Sequence, residues 1–245
     1  DGLATSTAAT KVVSVAAVND APTVSVPASI AMTEDSANAI TGISFSDADA
    51  GGGSITVSLA VPTGTLAASS GGGVTVGGTA SALTLTGTVV DINAFITGSN
   101  VSFTGATNAT GNVTLTASIN DGGNSGNGGA KIDTDTITLA IAAVNDAPSV
   151  NAPAAIAVTE DVTTALTSIS FSDVDASSGT VQVTLSVPTG TLNATSGSGV
   201  TISGSGSGLL MLSGSIIDIN AFLAGSNATF TPAANFNGTA GFDYT

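Results

Sequence analysis

One passage occurs twice in this sequence, and this internal repeat restricts the possible folds more than any other feature. Residues 18–22 (VNDAP) return at residues 144–148, and the similarity continues downstream in the same order. The matching pairs are 33–35 and 159–161, 45–50 and 171–176, 61–66 and 187–192, and 91–95 and 218–222. Such a period indicates a tandem array of one globular module. We expect one repeat at 19–144, a second at 145–245 without its last strand, and at 1–18 the closing strand of a preceding or neighbouring domain.

Composition argues against several classes of function. The 245 residues include no Cys, His or Trp, two basic residues (Lys11 and Lys131) and 17 acids, for a net charge of -15. Without Cys or His the chain cannot form disulfides, thiolate or imidazole metal sites, or a Ser-His-Asp triad. So acidic a surface repels nucleic acid and anionic membranes, and no apolar run is long enough to span a bilayer. We therefore expect no enzyme activity, no nucleic-acid partner and no membrane insertion.

Alternating sequences predict strands. Residues 54–59 (SITVSL), 83–86 (LTLT), 113–116 (VTLT) and 137–141 (ITLAI) place apolar residues at every second position, as in strands with one buried face. Glycine clusters between these runs are turn signals, and the one helical pattern in each repeat is short and opens at Asp91 or Asp218. The sequence predicts an all-β fold in which immunoglobulin-like or cadherin-like antiparallel β-sandwich domains follow one another in a linear array.

Strand direction predicts where the acids meet. A first strand from Pro22 carries the chain the length of the domain, and the next strand returns. The return brings Asp47 and Asp49 beside Asn19 and Asp20, and antiparallel pairing of the last two strands adds Asp121 at the same end. At the other end, around the second VNDAP passage, the same argument gathers Glu34, Asp35, Asn145, Asp146, Asp173 and Asp175, with Asp91 as a doubtful member.

Clustered carboxylates need counter-charge. Two carboxylates about 4 Å apart repel by about 4 kcal/mol at an effective dielectric constant near 20. Ca²⁺ accepts six to eight oxygen ligands in flexible geometry, whereas zinc, copper and iron favour the missing imidazole and thiolate groups. Calcium is therefore the expected metal, with Mg²⁺ as a less natural alternative for an all-protein cage.

The motifs also resemble a known family. Asn-Asp-Ala-Pro followed by an acidic pair, then Asp-x-Asp-Ala, then Asp-Gly near the domain end, resembles the calcium-binding signature of cadherin repeats. With Asp-Ile-Asn-Ala-Phe and the ending at 230–238 (FTPAANFNG), nearly the whole chain resembles the bacterial cadherin-like and VCBS-type repeats of large secreted adhesins and biofilm proteins.

This resemblance implies calcium ligands at three domain junctions. The implied ligands are Glu34, Asp146, Asp173 and Asp175 at the central junction, Asp20, Asp47, Asp49 and Asp121 at the one before, and Glu160 and Asp161 at the one after. Asp91 and Asp218 stand at the Leu-Asp-Arg-Glu motif of cadherins, where the second carboxylate is replaced by Asn93 or Asn220. For Asp91 and Asp218 a helix N-cap role is favoured over a ligand role.

Plainer roles compete with metal binding at each position. Acids beside Ala-Pro or Gly often only form turns, and Asp133, Asp135 and Asp243 are expected on solvated strand faces. The argument for calcium depends on the repetition of the whole pattern rather than on any one residue.

The expected function is structural. The sequence predicts a secreted, calcium-stiffened repeat of a bacterial adhesin or surface filament, associating with itself head to tail outside the cell or on its surface. Residues 1–18 resemble the strand that the second repeat lacks, so two arrangements remain open: a long covalent array, or subunits that donate this strand to a neighbour. A carbohydrate-binding module is a further alternative, although Tyr244 is the only Tyr and Trp is absent.

Overall fold

The computed structural model describes residue 2 and residues 8–245. The chain divides into two compact units, Asp1–Val144 and Asn145–Thr245, which are called unit 1 and unit 2. Part of the predicted closing strand at 1–18 lies outside the described residues. Of its described residues, 8–17 are in no strand, although residues 11–15 have a strand-like sequence, and Val18 forms an isolated parallel β-bridge with Asn127.

The described part of unit 1 consists of strands of three to eleven residues and one helix. Its strands are β1 (Thr23–Ser25), β2 (Ser29–Thr33), β3 (Ala37–Ala39), β4 (Ser44–Ser46), β5 (Ile55–Ala60), β6 (Thr65–Ala68), β7 (Thr75–Thr79), β8 (Ala82–Gly87), β9 (Val101–Thr104), β10 (Gly111–Asn120) and β11 (Ile132–Ala142). Helix α1 (Val89–Thr97) lies between β8 and β9. The six-stranded sheet has the order β2-β11-β10-β5-β8-β7, and smaller sheets are formed by β3-β9-β6 and β1-β4.

The first strand predicted from Pro22 is divided in two. β1 pairs antiparallel with β4, and β2 pairs in parallel with β11. Pro27 lies between β1 and β2, where its missing N–H interrupts the hydrogen-bonding ladder and the chain changes sheets. Among the described strand pairs, β2–β11 is the parallel exception in a sandwich that is otherwise antiparallel, as predicted. The expected antiparallel pairing of the last two strands is confirmed by β10 and β11.

The core of unit 1 follows from the alternation. Ile55, Val57 and Leu59 of β5 are buried, and the residues between them point away from the core. Phe103 of the smaller sheet and Ile92 of α1 are fully buried in the same core. Burying one such side chain stabilises the fold by roughly 1.5–3 kcal/mol. Unit 1 is an immunoglobulin-like β-sandwich, as the sequence predicted.

Unit 2 repeats most of this architecture. Its strands are β12 (Ser149–Asn151), β13 (Thr164–Ala165), β14 (Ser170–Ser172), β15 (Val181–Ser186), β16 (Thr191–Ala194), β17 (Thr201–Ser203), β18 (Leu209–Gly214), β19 (Ala228–Thr231) and β20 (Asp243–Tyr244). Helix α2 (Ile216–Ala224) corresponds to α1. The larger sheet has the order β17-β18-β15-β20, so β20 is the edge strand of that described sheet. Residues 155–159, the counterparts of β2, are not in a strand.

Each helix holds the strand that precedes an Asp-x-Asp motif. The Asn93 side chain accepts a hydrogen bond from Phe45 N (2.9 Å) and donates one to Phe45 O (2.8 Å). Asn220 makes the same two contacts with Phe171 in unit 2. In each unit the Asn amide therefore acts as an additional hydrogen-bonding partner of the strand, β4 or β14. This contact fixes the position of the Asp-x-Asp motif that follows the strand and starts at Asp47 or Asp173.

Replacing Asn93 by Ala tests this contact. N93A removes both hydrogen bonds and leaves half-buried backbone groups without this partner, so the free energy of unfolding should fall by roughly 1–3 kcal/mol. Urea denaturation measures the change. The matched control is N112A at an exposed strand position, and equal effects of the two variants would contradict the proposed role of Asn93.

Candidate metal centre at the N-terminal end of unit 1

Asn19 is at the centre of a buried polar cluster. Its side chain is fully buried, and its amide nitrogen donates to Asp121 Oδ2 (2.7 Å) and to Gly129 O (2.9 Å). The main-chain N–H of Asn19 donates to Asn127 O (3.0 Å), which holds the first VNDAP passage against the loop before β11. Among the described residues, the buried Oδ1 of Asn19 has no hydrogen-bond partner.

Asp47 and Asp49 approach the same passage from the end of β4. Asp49 Oδ2 accepts a hydrogen bond from Asp20 N (2.8 Å), and Asp47 Oδ1 accepts from Asp49 N and Ala50 N (3.1 Å each). Ser125 Oγ donates to Asp49 O (2.6 Å) and ties the loop before β11 to the motif. The predicted meeting of 19–20, 47–49 and 121 is therefore present. We call Asn19, Asp20, Asp47, Asp49 and Asp121 the N-terminal cluster.

Three side-chain oxygens of the N-terminal cluster are buried acceptors without donors. They are Asn19 Oδ1, Asp47 Oδ2 and Asp49 Oδ1, for which the described residues supply no hydrogen-bond partner. A buried acceptor that is left unsatisfied costs roughly 1–3 kcal/mol. Within the described part of unit 1, no three carboxylates bring ligand atoms within 4.8 Å of one another. A cation here would therefore need the Asn19 amide oxygen and further oxygens besides the carboxylates.

Asp121 is the most constrained acid of the cluster. It is 1% exposed; its Oδ1 accepts from Lys131 N (2.7 Å) and Gly123 N (2.8 Å), and its Oδ2 accepts from Asn19. Burial alone raises the pKa of this carboxyl. Hydrogen bonds from Lys131 N, the Asn19 side chain and Gly123 N, with the Lys131 charge, outweigh burial and hold the pKa below its ordinary value of 3.8.

Lys131 supplies a positive charge to this cluster that was not expected from the sequence. Its ammonium group donates a short hydrogen bond to Asn19 O. One of only two basic residues in the chain, placed ten positions after Asp121, was the signal available in the sequence. Its position became clear only from the fold of the loop before β11.

The acids at the other end of unit 1 have defined structural contacts. Glu34 is 3% exposed, and its Oε1 accepts from Val144 N (2.9 Å). Asp35, which has a φ of 54°, accepts at Oδ1 from Asn108 N (3.0 Å) and holds a turn. Both residues were predicted to be metal ligands. These hydrogen bonds do not test that role, which stays a prediction.

Unit 2 reproduces the motif geometry. Asp175 Oδ2 accepts from Asp146 N (2.5 Å), and Asp173 Oδ1 accepts from Asp175 N (2.9 Å) and Ala176 N (3.1 Å). Asn145, unlike Asn19, is exposed, and its side chain donates to Asp146 O (2.9 Å).

The second acidic pair of unit 2 differs from its counterpart in burial. Glu160 is exposed, in contrast to Glu34, whereas Asp161 Oδ1 accepts from Asn235 N (3.0 Å) in the same way that Asp35 binds Asn108.

Two expectations for acids need correction. Asp91 and Asp218 are not N-caps: the caps are Thr88 and Ser215, whose hydroxyls accept from the Asp91 and Asp218 N–H groups and donate to their carboxylates (2.7 Å). Both acids are thus first-turn residues, favoured there by the helix dipole. Asp133 is not simply solvated, because its half-buried carboxylate accepts from Val24 N (2.8 Å) and holds β1.

Comparisons with known proteins leave the family undetermined. No protein-family model matches the chain, and no curated protein matches it. Titin domains Z1 and Z2, solved in complex with telethonin, align over 81% of this chain and 83% of that chain at 15% identity and a TM-score of 0.29. An endo-fucoidan hydrolase of glycoside hydrolase family 107 aligns over 91% of this chain and 28% of its own at 13% identity and a TM-score of 0.28. Neither similarity is close enough to support an argument about function.

Among the described residues, no helix is both long and apolar enough to cross a membrane.

The lowered pKa of Asp121 predicts how stability depends on pH. The fold favours the ionised form of Asp121, so ionised Asp121 stabilises the folded state. This stabilisation is complete above the unfolded pKa near 3.8 and disappears as pH falls through the lower pKa of the folded state. D121N removes this contribution, so its free energy of unfolding should decline less steeply than that of the wild type as pH falls below about 4. Urea titrations in chelator measure the slope.

D135N is the matched control, since Asp135 is exposed on β11. Equal pH dependence for D121N and D135N would contradict the assigned role of Asp121.

Proposed function

We propose that this chain is a calcium-binding structural repeat of an extracellular bacterial adhesin or surface filament, and that calcium stiffens it by binding at the ends of its modules. The observation that carries the proposal is the set of buried oxygens at the N-terminal cluster for which the described residues supply no donor. Asn19 Oδ1, Asp47 Oδ2 and Asp49 Oδ1 are acceptors of the type that a hard cation uses.

The charges around the cluster favour a divalent ion. Lys131 is the one nearby cation found in the described contacts, and its ammonium is already engaged by Asn19 O, while the sequence has a net charge of -15. Zinc and copper prefer imidazole and thiolate ligands, whereas this cluster offers only oxygen atoms. Among hard cations, Ca²⁺ tolerates the mixture of amide, carboxylate and main-chain oxygens better than Mg²⁺, which requires near-octahedral geometry.

Metal binding here would order the N-terminal passage. The cluster draws on three separate parts of unit 1: residues 19–20, the Asp-x-Asp motif after β4 and the loop before β11. An ion shared by them adds its binding free energy to the folded state, by RT ln(1 + [Ca²⁺]/Kd). The same motif geometry at Asp146, Asp173 and Asp175 supports one such site in each repeat.

An extracellular location and self-association follow from this proposal. A repeat without Cys gains no disulfide outside the cell, so a metal is an available substitute for stabilisation. The strongly acidic surface discourages non-specific association, and calcium neutralises part of that charge.

The D47N/D49N double variant tests the calcium site. Asn keeps the Oδ1 acceptor that supports the turn but removes two negative charges, so calcium affinity should fall by at least about tenfold, or about 1.4 kcal/mol. Isothermal titration with Ca²⁺, and with Mg²⁺ in parallel, measures the affinity. Melting curves in chelator verify that the variant is folded.

The matched control is D135N/D243N, which removes two charges at exposed strand positions. If this control loses calcium affinity as strongly as D47N/D49N, the cluster is only part of a diffuse acidic surface.

The mechanical part of the proposal requires that calcium raise the melting temperature and change the maximum dimension in small-angle scattering. No change relative to chelator would refute it.

A further inference from the structure

Lys131 is the last residue of the loop between β10 and β11, and main-chain contacts set its position. Its O accepts a hydrogen bond from Asp121 N (3.1 Å), and its N–H donates to Asp121 Oδ1 (2.7 Å). Asp121 is 1% exposed, so the lysine side chain starts beside a buried carboxylate. The fold of the loop therefore places a cation at the N-terminal cluster.

The ammonium group of Lys131 contacts Asn19, the residue at the centre of the cluster. It donates to Asn19 O in a partly buried hydrogen bond. The main-chain N–H of Asn19 donates to Asn127 O, and its Nδ2 donates to Asp121 and Gly129. The two oxygens of this fully buried residue therefore differ, because a protein cation binds Asn19 O and the described residues supply no donor for Asn19 Oδ1.

The charges of the N-terminal cluster are unbalanced. Lys131 is the one basic residue that the described contacts bring to it. The cluster has four carboxylates, those of Asp20, Asp47, Asp49 and Asp121. The ammonium weakens the negative potential that attracts a metal ion, and it repels a divalent ion twice as strongly as a monovalent ion at the same distance. A divalent ion in the cluster and an ammonium at Asn19 O therefore disfavour each other.

We propose that the Lys131 ammonium is a tethered counter-cation that competes with calcium at the N-terminal cluster. Without metal it binds Asn19 O and offsets part of the repulsion among the carboxylates. When calcium binds, it takes Asn19 O and Asn19 Oδ1 as ligands, and the ammonium moves out to solvent on its flexible stem. This inference rests on the proposed calcium site and adds its regulation, because the lysine sets the calcium concentration at which the cluster fills.

Calcium titration of charge variants tests the competition. K131M removes the ammonium and keeps a long side chain, whereas K131R keeps the charge. All proteins carry D173N/D175N, so that the matching motif of unit 2 contributes less to the calorimetric signal. K131M should bind calcium at least about tenfold more tightly than the parent, since a unit charge beside a divalent ion is removed. K131R should bind calcium like the parent.

Two controls show where the charge acts. K11M removes the only other basic charge of the chain, at an exposed position, and should leave the calcium affinity unchanged. Adding D47N/D49N to K131M should abolish the gain in affinity. In chelator K131M should unfold at a lower urea concentration than the parent, and excess calcium should reduce this difference. A difference that is the same with and without calcium would show that Lys131 is only structural.

The unaltered chain provides a test that does not depend on the folding of K131M. Because the sequence has two lysines, isotope-labelled lysine gives one side-chain signal for Lys131 and one for Lys11 in an NMR spectrum. K11M assigns the two signals. During calcium titration the Lys131 signal should move and saturate with the calorimetric Kd, while the Lys11 signal stays in place.

The outcomes separate this inference from the proposed function. Calcium binding with equal affinity in the parent and K131M, or without movement of the Lys131 signal, would overturn the competition and leave the calcium site in place. A gain in K131M that persists with D47N/D49N would place the effect outside the N-terminal cluster and also overturn it. Absence of calcium binding in the parent and in K131M would refute the proposed function, and the competition with it.

Discussion

The pairing of β11 on both of its edges is the interaction on which the rest of unit 1 depends. On one side it continues the antiparallel sheet through β10, and on the other it gives β2 its only sheet partner among the described strands. The loop before it carries Lys131 and Ser125 to the N-terminal cluster, and the strand itself presents Asp133 to β1. A single closing strand thus completes the core and organises the N-terminal end of the module.

The two units form an internal comparison of what this strand does. In unit 2 the counterparts of β2 are not in a strand, Glu160 is exposed where Glu34 is buried, and Asn145 is exposed where Asn19 is fully buried. The sequences at these positions are nearly the same, so the difference arises from the partners around them. Local motifs such as Asp-x-Asp fold alike in both units because their hydrogen bonds are made within a few residues.

The same distinction explains what could be predicted from the sequence. Alternation predicted the strands and the sandwich, and strand direction predicted that Asp49 meets Asp20, because both depend on regular geometry. The parallel β2–β11 pair was missed because the break at Pro27 changes sheets, which alternation does not encode. The roles of Asn93 and Lys131 were missed because they depend on contacts with Phe45 and Asn19, 48 and 112 positions away in the sequence. Ligand roles for the acids remain predictions, since hydrogen bonds already engage at least one oxygen of Asp35, Glu34 and Asp121.

The parallel ladder between β2 and β11 also has a mechanical consequence. These strands lie close to the points where the chain enters and leaves unit 1, and five residue pairs, from Ser29–Thr138 to Thr33–Ala142, join them. Pulling the chain at both ends would slide parallel strands past each other and load all of these hydrogen bonds together, whereas a hairpin pulled at its open end breaks one bond at a time. The parallel pairing of β2 and β11 therefore gives unit 1 a resistance to tension that its alanine- and glycine-rich composition alone would not predict.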